Sequence, residues 1–225
     1  MTKYIRTLTV LTDAEIQQKE VPLFRGAVLN CLGDKANILF HNHLEENKYR
    51  YSYPLIQYKR IHGKAAIVCI GDGVPAIHEF FISNNFLFHL GKKEVEIKLD
   101  YVKIYDNEVC LCDSTQHYRI HNWLPLNSDN YAKYQATDNL IEKIQMLERV
   151  LLGNILSFLK GVGIHLEEQL ELHITSVMDQ RPTIYKKVKL MAFDIEFKAN
   201  IQMPQYIGVG KNASAGYGTL TKITN

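Results

Sequence analysis

The segment Pro54-Leu-Ile-Gln-Tyr-Lys-Arg-Ile-His-Gly-Lys-Ala-Ala-Ile-Val-Cys-Ile70 decides the fold of this chain. Its two halves, 54–61 and 64–70, are rich in apolar residues and meet at His62-Gly63, a pair that suits a tight turn between antiparallel strands. The segment therefore predicts a β-hairpin, and Gly71-Asp-Gly73 directly after it predicts the end of the second strand.

A strand and a helix are predicted on each side of this hairpin. Before it, the apolar spacing favours a strand over Tyr4–Leu11 and a helix over Val21–Leu32, with a proline in the first turn of the helix. After it, a helix over Val74–Ile82 and a strand over Phe86–Leu90 are expected. This order is that of a ferredoxin-like domain. We therefore expect an α+β fold with an N-terminal domain spanning residues 1–91.

The remaining residues, 92–225, predict a second and decorated domain of the same kind. Apolar residues at helical spacing make 137–162 the clearest helix of the chain, with Thr137 or Asp138 as its cap. A turn is expected at Asp106-Asn107 and a loop over Asp129–Ala136. Strands are expected over Glu94–Tyr105, Val109–Cys112, Leu170–Val177, Lys187–Phe197 and Tyr217–Ile223.

Composition limits the class of protein but does not identify a binding partner. The chain has 225 residues, is 46% hydrophobic and carries a net charge of +2, so it can build a packed core, and any basic surface must be local. Its start has no apolar core of a secretory signal, and no stretch is long and apolar enough to span a membrane. The four cysteines contain no C-x-x-C pair, so we expect free thiols in the cytoplasm and no metal site.

The stretch Pro204-Gln-Tyr-Ile-Gly-Val-Gly-Lys-Asn-Ala-Ser-Ala-Gly-Tyr-Gly218-Thr-Leu combines four glycines with one lysine. Glycine lets a ligand approach the main chain, and freed N–H groups beside Lys211 suit a phosphate. The spacing fits neither a P-loop nor a dinucleotide fingerprint. Taken alone, the stretch is equally compatible with a flexible turn before the last strand.

Four segments carry a resemblance to a known family. The glycine-rich stretch resembles the C-terminal loop of the RAMP superfamily of CRISPR-associated proteins. Residues 24–30 (FRGAVLN), 40–43 (FHNH) and 51–61 (YSYPLIQYKRI) resemble the Cas6 family, most closely its Cas6b branch. The resemblance implies two tandem ferredoxin-like domains, no cofactor, and cleavage of precursor CRISPR RNA within each repeat. It also allows for a CRISPR effector complex and a homodimer as further partners.

His41 and His43 are the candidate catalytic residues. Imidazole titrates near neutral pH, so one ring can take the proton of a ribose 2′-OH while another protonates the departing 5′ oxygen. Such a cut would leave a 2′,3′-cyclic phosphate and a 5′-OH without a metal, with Tyr51 assisting at the phosphate. Two histidines in a polar loop are also common on solvated surfaces; the family resemblance favours catalysis.

The predicted RNA contacts combine a basic, tyrosine-rich segment with the glycine-rich stretch. Basic groups attract phosphates, and tyrosine rings can stack on unpaired bases. An ordinary charged strand face is the simpler alternative, and a non-catalytic RAMP subunit that only holds RNA is the rival function. The predicted RNA-binding residues are Lys48, Arg50, Lys59, Arg60, Gly208, Gly210, Lys211, Gly216 and Gly218.

Overall fold

A computed structural model describes residues 3–33, 38–41, 43–44, 48–49, 53–83, 86–91 and 93–224. The chain divides into two compact units. One comprises Tyr4–Asn107 with Ser214–Gly216, and the other comprises Met1–Lys3, Glu108–Ala213 and Tyr217–Asn225. Both mix helices and strands, as the α+β prediction requires.

The first unit contains the predicted hairpin and the two predicted helices. His62 and Gly63 adopt φ of 50° and 86°, both in the left-handed region, which matches a two-residue hairpin turn. Its elements are β1 (Lys3–Glu15), α1 (Val21–Leu32), α2 (Ile38–His41), β2 (His43–Leu44), β3 (Lys48–Tyr49), β4 (Ile56–Ile61), β5 (Lys64–Ile70), α3 (Gly73–Ser83), β6 (Leu87–Leu90), β7 (Lys93–Glu96) and the start of β8 (Leu99–Trp123).

The fourth strand of the first sheet is not the predicted one. The strand order is β4-β5-β1-β8, so the start of β8 occupies the edge beside β1. The predicted strand near Phe86–Leu90 exists as β6, but it pairs with β7 in a separate hairpin. The expected single strand over Glu94–Tyr105 is therefore divided between β7 and β8.

The domain boundary lies later than the predicted one near Gly91. The unit ends at Asn107 because the first part of β8 belongs to the first sheet. Three side-chain contacts hold it there. Arg6 Nε lies 2.8 Å from Asp106 Oδ1, Asn107 Nδ2 lies 2.8 Å from Thr7 Oγ1, and Lys64 Nζ lies 2.6 Å from Asp100 Oδ2.

The core of the first unit lies between its sheet and its helices. Phe24 of α1 packs edge-on against Tyr58 of β4, with ring centroids 6.1 Å apart, and also meets Phe88 of β6. The other sheet face is buried as well but more polar, since Thr9 and Gln57 are 4% and 0% exposed. Burying a polar side chain costs free energy unless it forms hydrogen bonds, so this face of the sheet depends on such bonds.

The second unit has the same strand order as the first but lacks the second helix. Its elements are the rest of β8, α4 (Ser128–Ala136), α5 (Leu140–Gly161), β9 (Leu172–Tyr185), β10 (Val188–Gln202) and β11 (Thr219–Lys222). The sheet order is β9-β10-β8-β11. In the place of the second helix of a ferredoxin-like domain, the glycine-rich residues 203–218 connect β10 to β11 without a helix.

Three local predictions for residues 92–225 need correction. β8 continues through Asp106-Asn107 without a turn, because both side chains bond to β1. Residues 129–136 form most of helix α4, where Asn127 caps the start and Tyr134 packs on Phe193 with centroids 5.8 Å apart. The cap of α5 is Asn139, whose Oδ1 accepts the Ile141 N–H at 2.9 Å.

The apolar face predicted for the long helix is confirmed at its centre. Leu147, Leu151 and Ile155 are fully buried, whereas Leu140, in the first turn, is 70% exposed. None of the helices in the described part of the chain has the length and apolar character needed to cross a bilayer.

Candidate functional site

The two candidate histidines lie where the chain changes from helix to strand. His41 is the last residue of α2 and His43 the first residue of β2. The segment is therefore neither one continuous strand nor one continuous helix. β2 pairs with β3 so that the main chain of His43 lies opposite Tyr49 and that of Leu44 opposite Lys48. This pairing places the main chain of Lys48 near that of His43.

The catalytic roles of His41 and His43 stay predictions, since the structure describes only their backbone. Arg50 and Tyr51, two other residues predicted for this segment, lie outside the described residues.

Lys59 does not lie on a basic surface, contrary to the prediction. It is 0% exposed, and burial lowers the pKa of its ammonium group to about 7. Lys59 sits on the polar face of the first sheet, opposite Ala66 of β5. It is buried inside the protein and not displayed to a solvated ligand.

Arg60, the next residue of β4, is exposed. Its Nε donates to the carbonyl oxygen of Ile16 at 2.7 Å, which fixes one edge of the guanidinium group. A guanidinium group carries five N–H donors, so Arg60 retains others for a phosphate. The neighbouring Lys64 forms the ion pair with Asp100 and is already neutralised.

The glycines of the C-terminal stretch are held against the protein itself. Gly208, Gly216 and Gly218 are buried, and Gly210 is partly buried. A Cβ atom on Gly216 would lie 2.8 Å from Val21 Cγ1, and one on Gly210 would lie 2.5 Å from Asn154 Oδ1. A Cβ on Gly218 would collide with the carbonyl oxygen of Val209. The small size of these glycines serves internal packing, and their contact with RNA stays a prediction.

Backbone hydrogen bonds close the glycine-rich stretch into a compact loop. Val209 N–H donates to the Gly218 carbonyl at 2.8 Å, and Gly218 N–H donates to the Asn122 carbonyl at 3.1 Å. These N–H groups are consequently not free for a phosphate. Lys211 lies at the turn of the loop and is exposed, so its side chain can reach a ligand.

An ionic cluster on the second sheet was not among the site residues predicted from the sequence. On the face opposite α5, Arg119 Nη2 lies 2.5 Å from Glu196 Oε1, and His117 Nε2 lies 3.7 Å from Glu196 Oε2. His121 lies 4.0 Å from Asp194 through Nδ1 and Oδ2, and burial lowers the pKa of His121. The signal in the sequence is the alternation of polar and buried residues along β8, which predicts one polar face.

The described part of the chain has few side chains placed so that they could bind a metal ion. No group of three or more His, Cys, Asp or Glu side chains there could hold a metal ion. Cys110 and Cys112 do share one strand face, with their Sγ atoms 3.9 Å apart.

Comparisons with known proteins cover nearly the whole chain. Residues 3–108 match the Cas6b N-terminal domain, and residues 110–223 match the Cas6b C-terminal domain. An uncharacterised protein of Methanocaldococcus jannaschii is 32% identical over 124 residues, which are 55% of this chain and 83% of that protein.

Solved structures agree with this assignment. A crystal structure of Cas6b is 27% identical, with a TM-score of 0.85 over 97% of this chain and 100% of that one. A crystal structure of the CRISPR RNA processing endoribonuclease Cas6b is 25% identical, with a TM-score of 0.72 over 99% and 100%. This chain therefore belongs to the Cas6b branch of the Cas6 endoribonuclease family.

Proposed function

We propose that this protein cuts precursor CRISPR RNA within its repeats, by attack of a ribose 2′-OH on the adjacent phosphate and without a metal ion. The observation that carries the proposal is the match of both Cas6b domains, in order, to nearly all of the chain. The cut leaves a 2′,3′-cyclic phosphate on one product and a 5′-OH on the other.

The proposed chemistry needs one base, one acid and one donor to the phosphate. One imidazole of the pair His41 and His43 takes the proton of the 2′-OH, and the other protonates the leaving 5′ oxygen. Charge grows on the non-bridging oxygens as the bond forms, and Tyr51 with Lys48 or Arg50 stabilises it. In support, His41 and His43 flank a single residue at the α2–β2 junction.

The proposed RNA contacts are fewer than the sequence predicted. We leave out Lys59 because it is fully buried, and the glycines because they pack closely against the protein. The remaining residues are Lys48, Arg50, Arg60 and Lys211, of which Arg60 and Lys211 are exposed in the structure. Each adds an electrostatic attraction for phosphate that weakens as salt rises.

The proposal is tested with purified protein and a transcript of its own repeat. Cleavage should continue in excess EDTA, and a 2′-deoxy substitution at the scissile nucleotide should abolish it. The product ends should be a cyclic phosphate and a free 5′-OH. Loss of cleavage in EDTA would disprove the metal-free mechanism. Tight repeat binding with no cleavage under any condition would favour the non-catalytic RAMP subunit instead.

A further inference from the structure

Strand β8 carries a wide bulge where it pairs with β10. Between two consecutive pairs of this ladder, β10 has the single residue Asn200, whereas β8 has the four residues 112–115. A bulge takes residues out of the ladder and re-aims their side chains, and such irregularities are common beside functional sites.

Two thiols lie at the start of this bulge. Cys110 and Cys112 share one face of β8, with their Sγ atoms 3.9 Å apart, and neither forms a disulfide. Two sulfur ligands that each lie about 2.3 Å from a metal ion are roughly 3.8 Å apart at a tetrahedral angle and about 4.6 Å apart on opposite sides of the ion. The observed separation falls in this range, so one ion fits between the two sulfurs with the strand as it stands.

Both thiols line a cavity of about 500 Å³ within the second unit. Another part of its wall is the segment of residues 165–169, which follows α5. The side chain of Asn200 holds this wall in place. Its Oδ1 accepts the Glu171 N–H at 2.8 Å, and its Nδ2 donates to the Gln169 carbonyl oxygen at 3.1 Å. The two sulfurs therefore lie in a defined recess that an ion can enter from the exposed residues at its rim.

The charge of this cavity favours a cation. Neither lysine nor arginine is found among the described residues that line it. Negative walls raise the local concentration of cations and repel the phosphates of RNA, so the cavity is not part of the proposed RNA surface. The exposed carboxylates of the lining are Asp113, Glu167, Glu168 and Glu171.

We propose that Cys110 and Cys112 bind one Cu(I) ion as a two-coordinate thiolate site. Thiolates are soft ligands that select Cu(I), an ion whose coordination two of them complete. Structural zinc takes four ligands. Across the described residues, no set of three or more His, Cys, Asp or Glu side chains is placed to hold a metal. The pair therefore suits the soft monovalent ion and not zinc.

An intrachain disulfide is the alternative for two neighbouring thiols. It needs the sulfurs at about 2.05 Å, so they would have to approach by roughly 2 Å from their present positions. Burial, the hydrogen bond with Cys112 and the charge of Glu108 raise the pKa of Cys110 to about 11. The thiolate that attacks in disulfide exchange is scarce under these conditions, whereas a metal ion displaces the thiol proton as it binds.

The test is an equilibrium competition for Cu(I) between the protein and the chelator bathocuproine disulfonate, without oxygen or added thiols. The parent should retain one Cu(I) per chain. Cys110→Ser and Cys112→Ser should each weaken binding by more than about 100-fold, because losing a ligand costs more than losing a residue that only supports one. The matched control Cys31→Ser removes another half-buried thiol and should bind Cu(I) as the parent does.

A second variant keeps both thiols and changes only the charge of the cavity. Glu167→Gln with Glu168→Gln, at two exposed positions, should weaken Cu(I) binding severalfold, and less so at high salt, where surface charges are screened. Melting curves of the metal-free variants, followed by circular dichroism, show whether each one is folded. X-ray absorption by the loaded parent should show two sulfur ligands.

Several results would overturn the proposal. It is wrong if the parent retains no Cu(I), if the two cysteine variants bind as tightly as the parent, or if only Cys31→Ser loses the ion. Nitrogen or oxygen ligands in the absorption spectrum would also exclude it. Rapid closure of the pair by glutathione disulfide, in a parent that retains no Cu(I), would assign these thiols to redox chemistry. The measurement contains no RNA, so its result does not depend on the proposed function.

Discussion

At the residue scale, the proposed mechanism depends on His41 and His43. The double change His41→Ala and His43→Ala removes both proton-transfer groups, each of which contributes roughly 10²–10⁴-fold to the rate. We expect single-turnover cleavage to fall by several orders of magnitude, while the affinity for blocked repeat RNA stays close to that of the parent.

A matched control for the histidines is His78→Ala, which alters an exposed histidine on α3. It should leave the cleavage rate unchanged. Parent-like cleavage by the double variant would exclude these two residues as acid and base.

Lys59 predicts a pH dependence of stability. Burial lowers its pKa from 10.5 to about 7, so between these pH values the folded protein has lost a proton that the unfolded chain keeps. Unfolding then takes up a proton, and this residue makes stability rise with pH by up to about 1.4 kcal/mol per unit. Below pH 7 both states are protonated, and the full cost of burying the charge remains.

Lys59→Met should therefore change the pH profile of unfolding. The free energy of unfolding of the variant minus that of the parent should decrease steadily from pH 7 to pH 10, as measured by urea titration. The exposed lysine change Lys98→Met serves as the control, with a constant difference expected. A constant difference for Lys59→Met as well would mean that its ammonium group is not desolvated in the fold.

At the element scale, substitutions in the glycine-rich loop test whether its glycines are needed for internal packing. Gly218 has a φ of 63°, and a Cβ there would collide with Val209. Gly218→Ala should therefore lower the free energy of unfolding by about 2–4 kcal/mol. Gly153 lies inside α5 with no atom within 4 Å of a Cβ, so Gly153→Ala should raise it by about 0.5–1 kcal/mol. Both values come from urea titration, and an unchanged Gly218→Ala would contradict the packing role.

Elements with a strong local signal were predicted correctly. The helix of Val21–Leu32 and the turn at His62-Gly63 follow from proline placement, apolar spacing and turn chemistry, which are local properties. Helix α4 was missed because its residues are mostly polar. Its stability comes from a cap by Asn127 and from Tyr134 packing on Phe193, a contact 59 residues away along the chain.

At the scale of the whole molecule, the unit boundary predicts how fragments behave. A fragment of residues 1–91 lacks the strand of β8 that pairs with β1, and leaves that edge of the sheet open. A fragment of residues 1–107 retains it, together with the Arg6–Asp106 ion pair. We expect the longer fragment to melt more cooperatively and at a higher temperature in circular dichroism. Identical melting curves would contradict the boundary at Asn107.

The sequence by itself determined the family, the α+β class and most of the regular elements, because these depend on short-range patterns and on motifs read directly from residues. It also selected His41 and His43, a choice that still awaits its experiment. Charge and glycine content predicted which segments contact RNA but could not say which side chains face solvent.

Only the tertiary structure decided which residues are available to a ligand. Lys59 is buried and the glycines are packed against Val21, Asn154 and Val209, because residues distant in sequence close over them. Strand pairing is decided in the same way. β1 pairs with the start of β8, which therefore becomes the fourth strand of the first sheet, and β6 pairs with β7 instead. Burial and strand pairing depend on which of several distant segments forms a given contact. Local sequence patterns do not predict which segment that is.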